Sequence, residues 1–193
     1  MQKSARLVFS ALSLFALGTG TSSAGLFDRG GGLIYDDVLN ITWMQDALYA
    51  RTLGIDSNGA LNHADAMAFA ANMSYYDSVR NTTWDDWRLP QTFSNFAGYD
   101  LTGTTSELAY MYYINLGYAA NTSHDRFTPE PSSSNYNPFI NLTYRAYWSE
   151  TAGPRVGNFW AVHFHFGSQE IGGGSDLSRV WLVRSNGRPA VAF

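Results

Sequence analysis

Two histidines in the C-terminal part of the chain could present neighbouring imidazole rings to a metal ion. In the segment NFWAVHFHFG, His163 and His165 alternate with apolar residues, so we expect them to share one face of a strand. Imidazole is a common zinc ligand, but a zinc site needs three or four ligands, and two rarely suffice. If Glu150 joined them, the group would be the centre of a metal-dependent hydrolase. Otherwise they are ordinary residues of an exposed sheet face.

A second cluster that could do chemistry spans residues 84–91, which have the sequence WDDWRLPQ. Its tryptophans and aspartates could form an aromatic sugar platform with acidic ligands. Alternatively, Arg88 is buried and must be paired, because an unpaired buried charge is costly. We favour this structural interpretation and expect Asp85 or Asp86 to be the partner of Arg88, although other acids could serve.

The other residues of this cluster are assigned to different roles. Trp87 alternates with Arg88, which suits a core anchor, and Pro90 ends the strand without needing a backbone donor. We expect Trp84, which lies further out, to be the exposed aromatic side chain. Three more tryptophans are predicted to be structural: Trp43, Trp148 and Trp160.

Two segments partly resemble calcium sites, and each lacks a ligand. GIDSNGALNHAD matches alternate positions of an EF-hand loop from Asp56 onward, but Gly54 occupies the first ligand position. EPS, at 130–132, resembles the Glu-Pro-Asn motif of C-type lectins without its asparagine. A turn stabilised by Asx side chains explains the first segment more simply. We therefore expect no cofactor, with calcium as the alternative.

Residues 121–141 are rich in Ser, Asn and Pro and are predicted to form a long surface loop. Together with loops predicted at 150–158 and at the glycine-rich 172–174, it could present a variable binding surface. The candidate ligand-contacting residues are aromatic or charged and lie near these loops or in the WDDW cluster: Trp84, Tyr136, Phe139, Tyr144, Glu150 and Arg155.

The elements that must position these residues follow from periodicity and from turn and capping residues. Residues 33–35 and 41–44 are β-prone and are predicted to form a hairpin. One helix is predicted after its N-cap Asn62, with an apolar stripe of Ala66, Phe69, Ala70 and Met73. A second helix is predicted from a capping box of Thr104 and Glu107. Five sequon asparagines are interpreted as turn residues: Asn40, Asn72, Asn81, Asn121 and Asn141. Two helices among hairpins, without βαβ alternation, indicate an α+β fold with an antiparallel sheet.

The composition restricts the compartment and the chemistry. Residues 1–24 have the basic, apolar and small-residue order of a secretory signal peptide, which leaves 25–193 as a single exported domain. The absence of cysteine excludes disulfides, thiolate metal sites and cysteine nucleophiles. The formal net charge of −4 disfavours nucleic acid and polyanionic glycans as partners. No second apolar span follows residue 24, so we expect no membrane span after cleavage.

Six segments occur in the order seen in the Lcl C-terminal domain family: GLIYDDVLNITWMQDA, WDDWRLPQ, TSELAYMYYINLG, YWSET, FWAVHFHFG and WLVR. The chain resembles this family over roughly residues 31–185. The resemblance implies a C-type-lectin-like fold, export from a bacterium and no established enzymatic activity. The adhesin domain that names the family binds sulfated host glycans through a basic surface, but this chain is acidic, so we do not transfer that ligand. We expect an exported, non-catalytic recognition or adhesion domain that binds a glycan or protein through surface loops.

Overall fold

The computed structural model describes residues 25–93, 96–121 and 138–186 of the chain. The strands within these ranges are β1 (Leu26–Asp28), β2 (Leu33–Asp36), β3 (Ile41–Met44), β4 (Ala60–Leu61), β5 (Tyr75–Asp77), β6 (Thr82–Trp84), β7 (Trp87–Arg88), β8 (Gly98–Tyr99), β9 (Ala146–Ala152), β10 (Asn158–His163), β11 (Ser168–Gly173), β12 (Ser178–Arg179) and β13 (Val183–Ser185). The helices are α1 (Tyr49–Thr52), α2 (His63–Ala71) and α3 (Glu107–Tyr110), and a π-helical segment follows at Met111–Asn115. The predicted signal peptide, Tyr136 and the EPS segment lie outside the described residues.

The strands form two larger sheets and one two-stranded hairpin. One sheet has the order β1-β2-β3-β13-β7, and the other has the order β4-β12-β9-β10-β11-β8. The hairpin consists of β5 and β6. Within the described ranges all strand pairs are antiparallel except β12 with β9, which run parallel. The predicted α+β class is therefore confirmed for this part of the chain.

The predicted N-terminal hairpin forms between β2 and β3. The Asp36 carboxylate closes its turn by accepting hydrogen bonds from the backbone N–H groups of Val38 and Leu39, at 3.1 and 2.9 Å. Asn40 then adopts a φ of 53°, a left-handed conformation that asparagine tolerates. Three more sequon asparagines also have positive φ, which supports their interpretation as turn residues: Asn81, Asn121 and Asn141.

Helix α2 forms where the sequence predicts it. The Asn62 side chain accepts a hydrogen bond from the backbone N–H of Asp65 at 2.9 Å and caps the first turn. Ala66 and Ala70 of the predicted apolar stripe are buried in the core, and Phe69 packs against it. The predicted cap and stripe are confirmed.

The predicted capping box of Thr104 and Glu107 is wrong. Ser106 is the N-cap of α3, and its hydroxyl accepts a hydrogen bond from the backbone N–H of Ala109 at 3.3 Å. Glu107 does not reach back to Thr104, because its carboxylate is bound by Arg88. A tertiary ion pair therefore overrides the local capping signal.

Strand β10 is shorter than the alternating pattern predicts. It ends at His163, and the chain turns through 164–167, where the N–H groups of Phe166 and Gly167 donate to the His163 carbonyl. Gly167 has a φ of 78°, which glycine adopts at no steric cost and which completes the turn. The prediction that His163 and His165 share a strand face is therefore wrong.

Tryptophans dominate the core of the described chain. The four that the sequence assigns to structural roles are all buried: Trp43, Trp87, Trp148 and Trp160. Trp181 packs on Trp43 with ring centroids 4.8 Å apart, and its indole N–H donates to the Met44 carbonyl at 2.8 Å. The Trp148 indole N–H likewise donates to the Leu61 carbonyl at 2.8 Å. Without disulfides, the stability of the fold depends on such aromatic packing.

Candidate functional site

A cavity of about 520 Å³ lies where three neighbouring strands of the six-stranded sheet, β12, β9 and β10, present their ends. We call this site the basic pocket. Its lining is rich in cationic and aromatic side chains: Thr143, Tyr144, Arg145, His163, His165, Phe166 and Arg179. A concave site with a few convergent polar groups is the usual form of a ligand-binding site.

Strand register brings the lining residues together. Arg179, the last residue of β12, pairs in register with Tyr147 of β9. On the other side of β9, Ala146 pairs with His163, the last residue of β10. Arg145 directly precedes β9, and adjacent strands lie about 4.8 Å apart. The two arginines and His163 therefore meet at one end of three adjacent strands.

The segment 143–145 is held in place by the buried side chain of Tyr147. The Tyr147 hydroxyl accepts a hydrogen bond from the Thr143 N–H at 2.9 Å and lies 3.2 Å from Thr143 Oγ1. Burial raises the pKa of Tyr147 to about 12, so the phenol stays neutral and does not neutralise a nearby cation. The Arg145 carbonyl also accepts a hydrogen bond from the Phe164 N–H at 3.2 Å. This wall of the pocket is therefore fixed by the fold.

Arg179 differs from the paired arginines of this protein. Its side chain is partly buried, yet its guanidinium donates no hydrogen bond to a described residue, and its Nε is closed off from solvent. Burial lowers the pKa of Arg179, and the charge of Arg145 acts in the same direction. The ion pairs found among the described residues join other arginines to acids: Arg80–Asp77, Arg88–Glu107 and Arg184–Asp86.

Arg145 supplies a second cation to the pocket. Its side chain is exposed and forms no ion pair with a described residue. Two acids whose charges act on pocket residues are Asp56, on Arg179, and Glu170, on His163. Within the described ranges neither acid is close enough to either arginine to form an ion pair. The pocket therefore keeps a local positive charge on a chain whose net charge is −4.

The two histidines of the pocket contact each other through the backbone. The N–H of His165 donates to Nδ1 of His163 at 3.2 Å, so Nε2 carries the proton of the neutral His163 ring. Burial lowers the pKa of His163, which keeps this ring neutral near pH 7. Among the residues that the structure describes, no group of three His, Cys, Asp or Glu side chains could hold a metal ion.

Glu150 lies away from these histidines, so the three side chains of the alternative hydrolase centre are not brought together in the described part of the chain. It is four residues along β9 from Ala146, the residue paired with His163, which corresponds to roughly 13 Å of strand. Its Oε1 accepts a hydrogen bond from Gln91 Nε2 at 2.6 Å, and its backbone N–H donates to the carbonyl of the buried Pro90. Glu150 therefore holds the segment after β7 against β9.

Two predicted ligand-contacting aromatics are core residues. Phe139 is 8% exposed and packs edge-on against Trp181, with ring centroids 4.7 Å apart. Tyr144 is 6% exposed, although it lines the basic pocket. Backbone hydrogen bonds between Ile140 and residues 45–47 draw this part of the chain onto the core. Phe139, which the sequence places within the surface loop 121–141, is therefore a core residue, and Tyr144, which it places near that loop, is buried beside the basic pocket.

Trp84, predicted to be the exposed aromatic side chain, is partly buried on β6. Its indole N–H donates to Asp77 Oδ2 at 3.2 Å, and the guanidinium carbon of Arg184 lies 3.8 Å from a ring centroid. Arg184 is itself held by both carboxylate oxygens of Asp86, at 2.7 and 2.9 Å. One face of the Trp84 ring is therefore occupied within the protein, and Asp86 is committed to Arg184.

Arg88 is largely buried and paired, but with a different acid from those predicted. Its Nη1 and Nη2 each donate to one carboxylate oxygen of Glu107, both at 2.8 Å. Glu107 also accepts a hydrogen bond from the backbone N–H of Gln91 at 2.8 Å. The structural interpretation of WDDWRLPQ agrees with this geometry, whereas the choice of Asp85 or Asp86 is wrong, because α3 delivers Glu107 instead.

Two of the loops predicted to bind ligand, 150–158 and 172–174, consist largely of strand residues and a hairpin turn. Arg155 is exposed in the turn between β9 and β10, and it forms no ion pair with a described residue. Residues 172–173 belong to β11 and not to a loop. A Cβ on Gly172 would lie 2.7 Å from the Trp148 ring. The glycine is therefore required by close packing against a core tryptophan.

The calcium-like segment is a hydrogen-bonded turn. Asp56 Oδ1 accepts hydrogen bonds from the backbone N–H groups of Asn58 and Ala60, at 2.8 and 3.0 Å. Both hydrogen bonds lower the pKa of Asp56, and the bond from Ala60 has the larger effect. This geometry agrees with the Asx-turn interpretation.

Sequence reasoning missed both arginines of the basic pocket. Arg145 and Arg179 are single basic residues beside β-prone segments, a pattern typical of a solvated surface. They meet because β12 pairs in parallel with β9, and residue periodicity does not specify that pairing. The only advance signal was the presence of His163 and His165 within the alternating segment NFWAVHFHFG.

No protein-family profile, curated protein sequence or solved structure matches this chain. None of the helices in the described ranges has the length and apolar character needed to cross a membrane. The functional interpretation therefore rests on the residues and geometry of the basic pocket.

Proposed function

We propose that the protein is an exported, non-catalytic recognition domain that binds a glycan or protein ligand, and that the basic pocket contacts this ligand. The observation that carries the proposal is Arg179, whose Nε is buried without a hydrogen-bond partner and whose side chain forms no ion pair among the described residues. A partly buried cation loses hydration, which intramolecular hydrogen bonds normally replace. At Arg179 that replacement is missing, and an anionic ligand group can supply it.

The surroundings of Arg179 support a binding role. Arg145 adds a second cation, and Tyr147 fixes the segment on which Arg145 stands. Donors that are already in position bind a ligand with a smaller loss of conformational entropy. A positive site on a chain of net charge −4 also concentrates anions at one place on the surface.

We further propose that residues 1–24 direct export and are removed after Ala24. The support is the order of basic residues, apolar stretch and small residues at the start of the chain. N-terminal sequencing of protein recovered outside the cytoplasm should begin at Gly25. An intact N-terminus on cytoplasmic protein would contradict this proposal.

Within the α+β class, we propose the C-type-lectin-like arrangement. The support is the pairing of β13 with β3, which joins the two ends of the described chain in one sheet. The six segments that resemble the Lcl C-terminal domain family contribute to both larger sheets and to α3. An experimental structure of residues 25–193 tests this finer assignment.

Glycan and peptide arrays probed with residues 25–193 test the recognition function. The double variant Arg145→Ala/Arg179→Ala should lose about tenfold or more of the wild-type binding, because charge-assisted hydrogen bonds are lost. Arg155→Ala is the matched control, since it removes an exposed arginine outside the pocket. Binding that survives in the control but not in the double variant supports the proposal.

The remaining outcomes contradict specific parts of the proposal. Equal binding by all three proteins would place the ligand elsewhere on the surface. An absence of ligands on both arrays would contradict the recognition function. We also expect a chelator to change neither binding nor the melting temperature. A fall of many degrees after chelation would favour the metal-dependent alternative.

A further inference from the structure

We infer that the basic pocket binds the carboxylate group of an acidic sugar. This inference rests on the proposed recognition function and names the class of its ligand. Three properties of the pocket carry it: two guanidinium groups without an acidic partner in the described chain, a neutral histidine donor, and a partly exposed aromatic wall.

The number of cations suits a single planar anion. Arg145 and Arg179 can each direct a pair of N–H donors towards the two oxygens of a carboxylate. His163 accepts the His165 N–H at Nδ1, so its Nε2–H adds a neutral donor instead of a third positive charge. A ligand therefore meets two cations and one neutral donor.

The charge of the whole chain disfavours a polyanion at this site. The sequence has 16 acidic and 12 basic residues, so each further negative charge on a ligand is repelled at long range. Glu170 and Asp56 add to this repulsion close to the pocket. A ligand with one negative charge gains the local attraction with the least repulsion.

The rest of the lining suits a sugar ring. Phe166 is partly exposed and is held edge-on against His165, with ring centroids 4.2 Å apart. Such a fixed aromatic ring offers an apolar surface to the C–H face of a pyranose. Thr143 and His165 provide polar contacts for hydroxyl groups, and a cavity of about 520 Å³ has the size of a small-ligand site.

A peptide is the other common source of a carboxylate, and the sheet geometry disfavours it. Extended peptides commonly bind by adding a strand to a free sheet edge. The basic pocket lies at β12, β9 and β10, which are interior strands, whereas the edges of this sheet are β4 and β8. A compact acidic sugar needs no strand edge.

Titration calorimetry with the methyl glycosides of glucuronate and galacturonate tests the inference. The uncharged amide of each compound is the matched ligand control. Of the two acids, we expect the one with the higher affinity to bind more tightly than its own amide, by about tenfold or more. Arg179→Ala should weaken binding of the acid by about tenfold or more, Arg179→Lys should retain part of it, and Arg155→Ala should bind as the wild type does. Thermal melts of the three variants confirm that each is folded.

Each of the other possible binding results contradicts a specific part of the inference. Equal affinity for acid and amide, or no binding of either acid at millimolar concentration, would overturn the carboxylate assignment. Array binding that still depends on the two arginines would then leave the recognition function intact. Tighter binding of a short peptide with a free C-terminal carboxylate would overturn the choice of a sugar. If neither arrays nor titrations depend on Arg145 and Arg179, the inference and the proposed pocket both fail.

Discussion

Arg88 and Arg179 are both partly removed from water, and the described part of the fold supplies hydrogen-bond partners to only one of them. Arg88 donates two hydrogen bonds of 2.8 Å to Glu107 and one of 3.0 Å to the Leu89 carbonyl. Arg179 donates none to a described residue. Burial acts to lower the pKa of each arginine, but at Arg88 the hydrogen bond and charge of Glu107, together with the charge of Glu150, more than offset it, so the pKa of Arg88 is raised. At Arg179 the pKa is lowered.

This difference separates an arginine that builds the fold from one that is available to a ligand. Removing Arg88 leaves a buried carboxylate without its cation, so the fold depends on it. Arg179 instead contributes an unfavourable desolvation that no neighbour in the described chain relieves. Locally unfavourable groups persist in proteins mainly where function requires them. The comparison therefore predicts opposite consequences for stability at the two sites.

The largest effect is expected at Arg88. Arg88→Ala leaves the Glu107 carboxylate, whose side chain is 4% exposed, without a cation and should lower the free energy of unfolding by about 3–5 kcal/mol. Arg155→Ala, at an exposed turn, should change it by less than about 0.5 kcal/mol. Denaturant titrations of both variants measure the difference. Equal and small changes in the free energy of unfolding of both variants would show that the fold does not require the Arg88–Glu107 pair. Arg88 would then no longer differ from Arg179 as a structural residue.

Asp36 extends the comparison to a buried carboxylate that has no cationic partner in the described chain. Its Oδ2 accepts a hydrogen bond from the neutral amide of Asn115 at 2.6 Å, and burial raises its pKa from 3.8 to about 6. Because the pKa of Asp36 is higher in the folded protein than in the unfolded chain, the folded protein binds an extra proton between about pH 3.8 and pH 6. The contribution of Asp36 to stability should therefore increase by about 3 kcal/mol as the pH falls from above 6 to below 4.

The matched variant for this pH effect is Asp36→Asn. Asparagine keeps the oxygen that accepts the Val38 and Leu39 N–H groups, but it does not titrate. His63 and His163 act in the opposite direction, because burial lowers the pKa of each and stability is lost as the pH falls below about 6.5. The difference between wild-type and variant melts from pH 7.5 to 4.5 isolates Asp36. Parallel curves would show that its carboxyl group is not perturbed.

Sequence reasoning succeeded where the decisive contacts lie within one turn of the chain. Asn62 and Asp65 form the cap of α2 from residues three positions apart. The turn of the first hairpin likewise closes through Asp36 and the two N–H groups that follow it. In both cases a short polar side chain bonds its own backbone neighbourhood, so no knowledge of the tertiary fold is needed.

The errors concern contacts between distant segments. Arg88 and Glu107 are 19 residues apart, and their pairing also invalidated the predicted capping box. The same limitation hid the basic pocket, because Arg145 and Arg179 approach each other only through the parallel pairing of β12 with β9. Apolar periodicity indicates which residues face the core, but it does not select the partner of a strand or of a charge.

The smallest effect on stability is expected at Arg179. Arg179→Met removes the charge and keeps much of the packing of the aliphatic stem. Because no hydrogen bond to a described residue is lost, the free energy of unfolding should stay unchanged or rise by less than about 1 kcal/mol. Arg88→Met, measured in the same denaturant titration, should show a loss several times larger. If Arg179→Met destabilised the protein as much as Arg88→Met, Arg179 would be a structural residue, and the basic pocket would lose the feature that marks it as a ligand site.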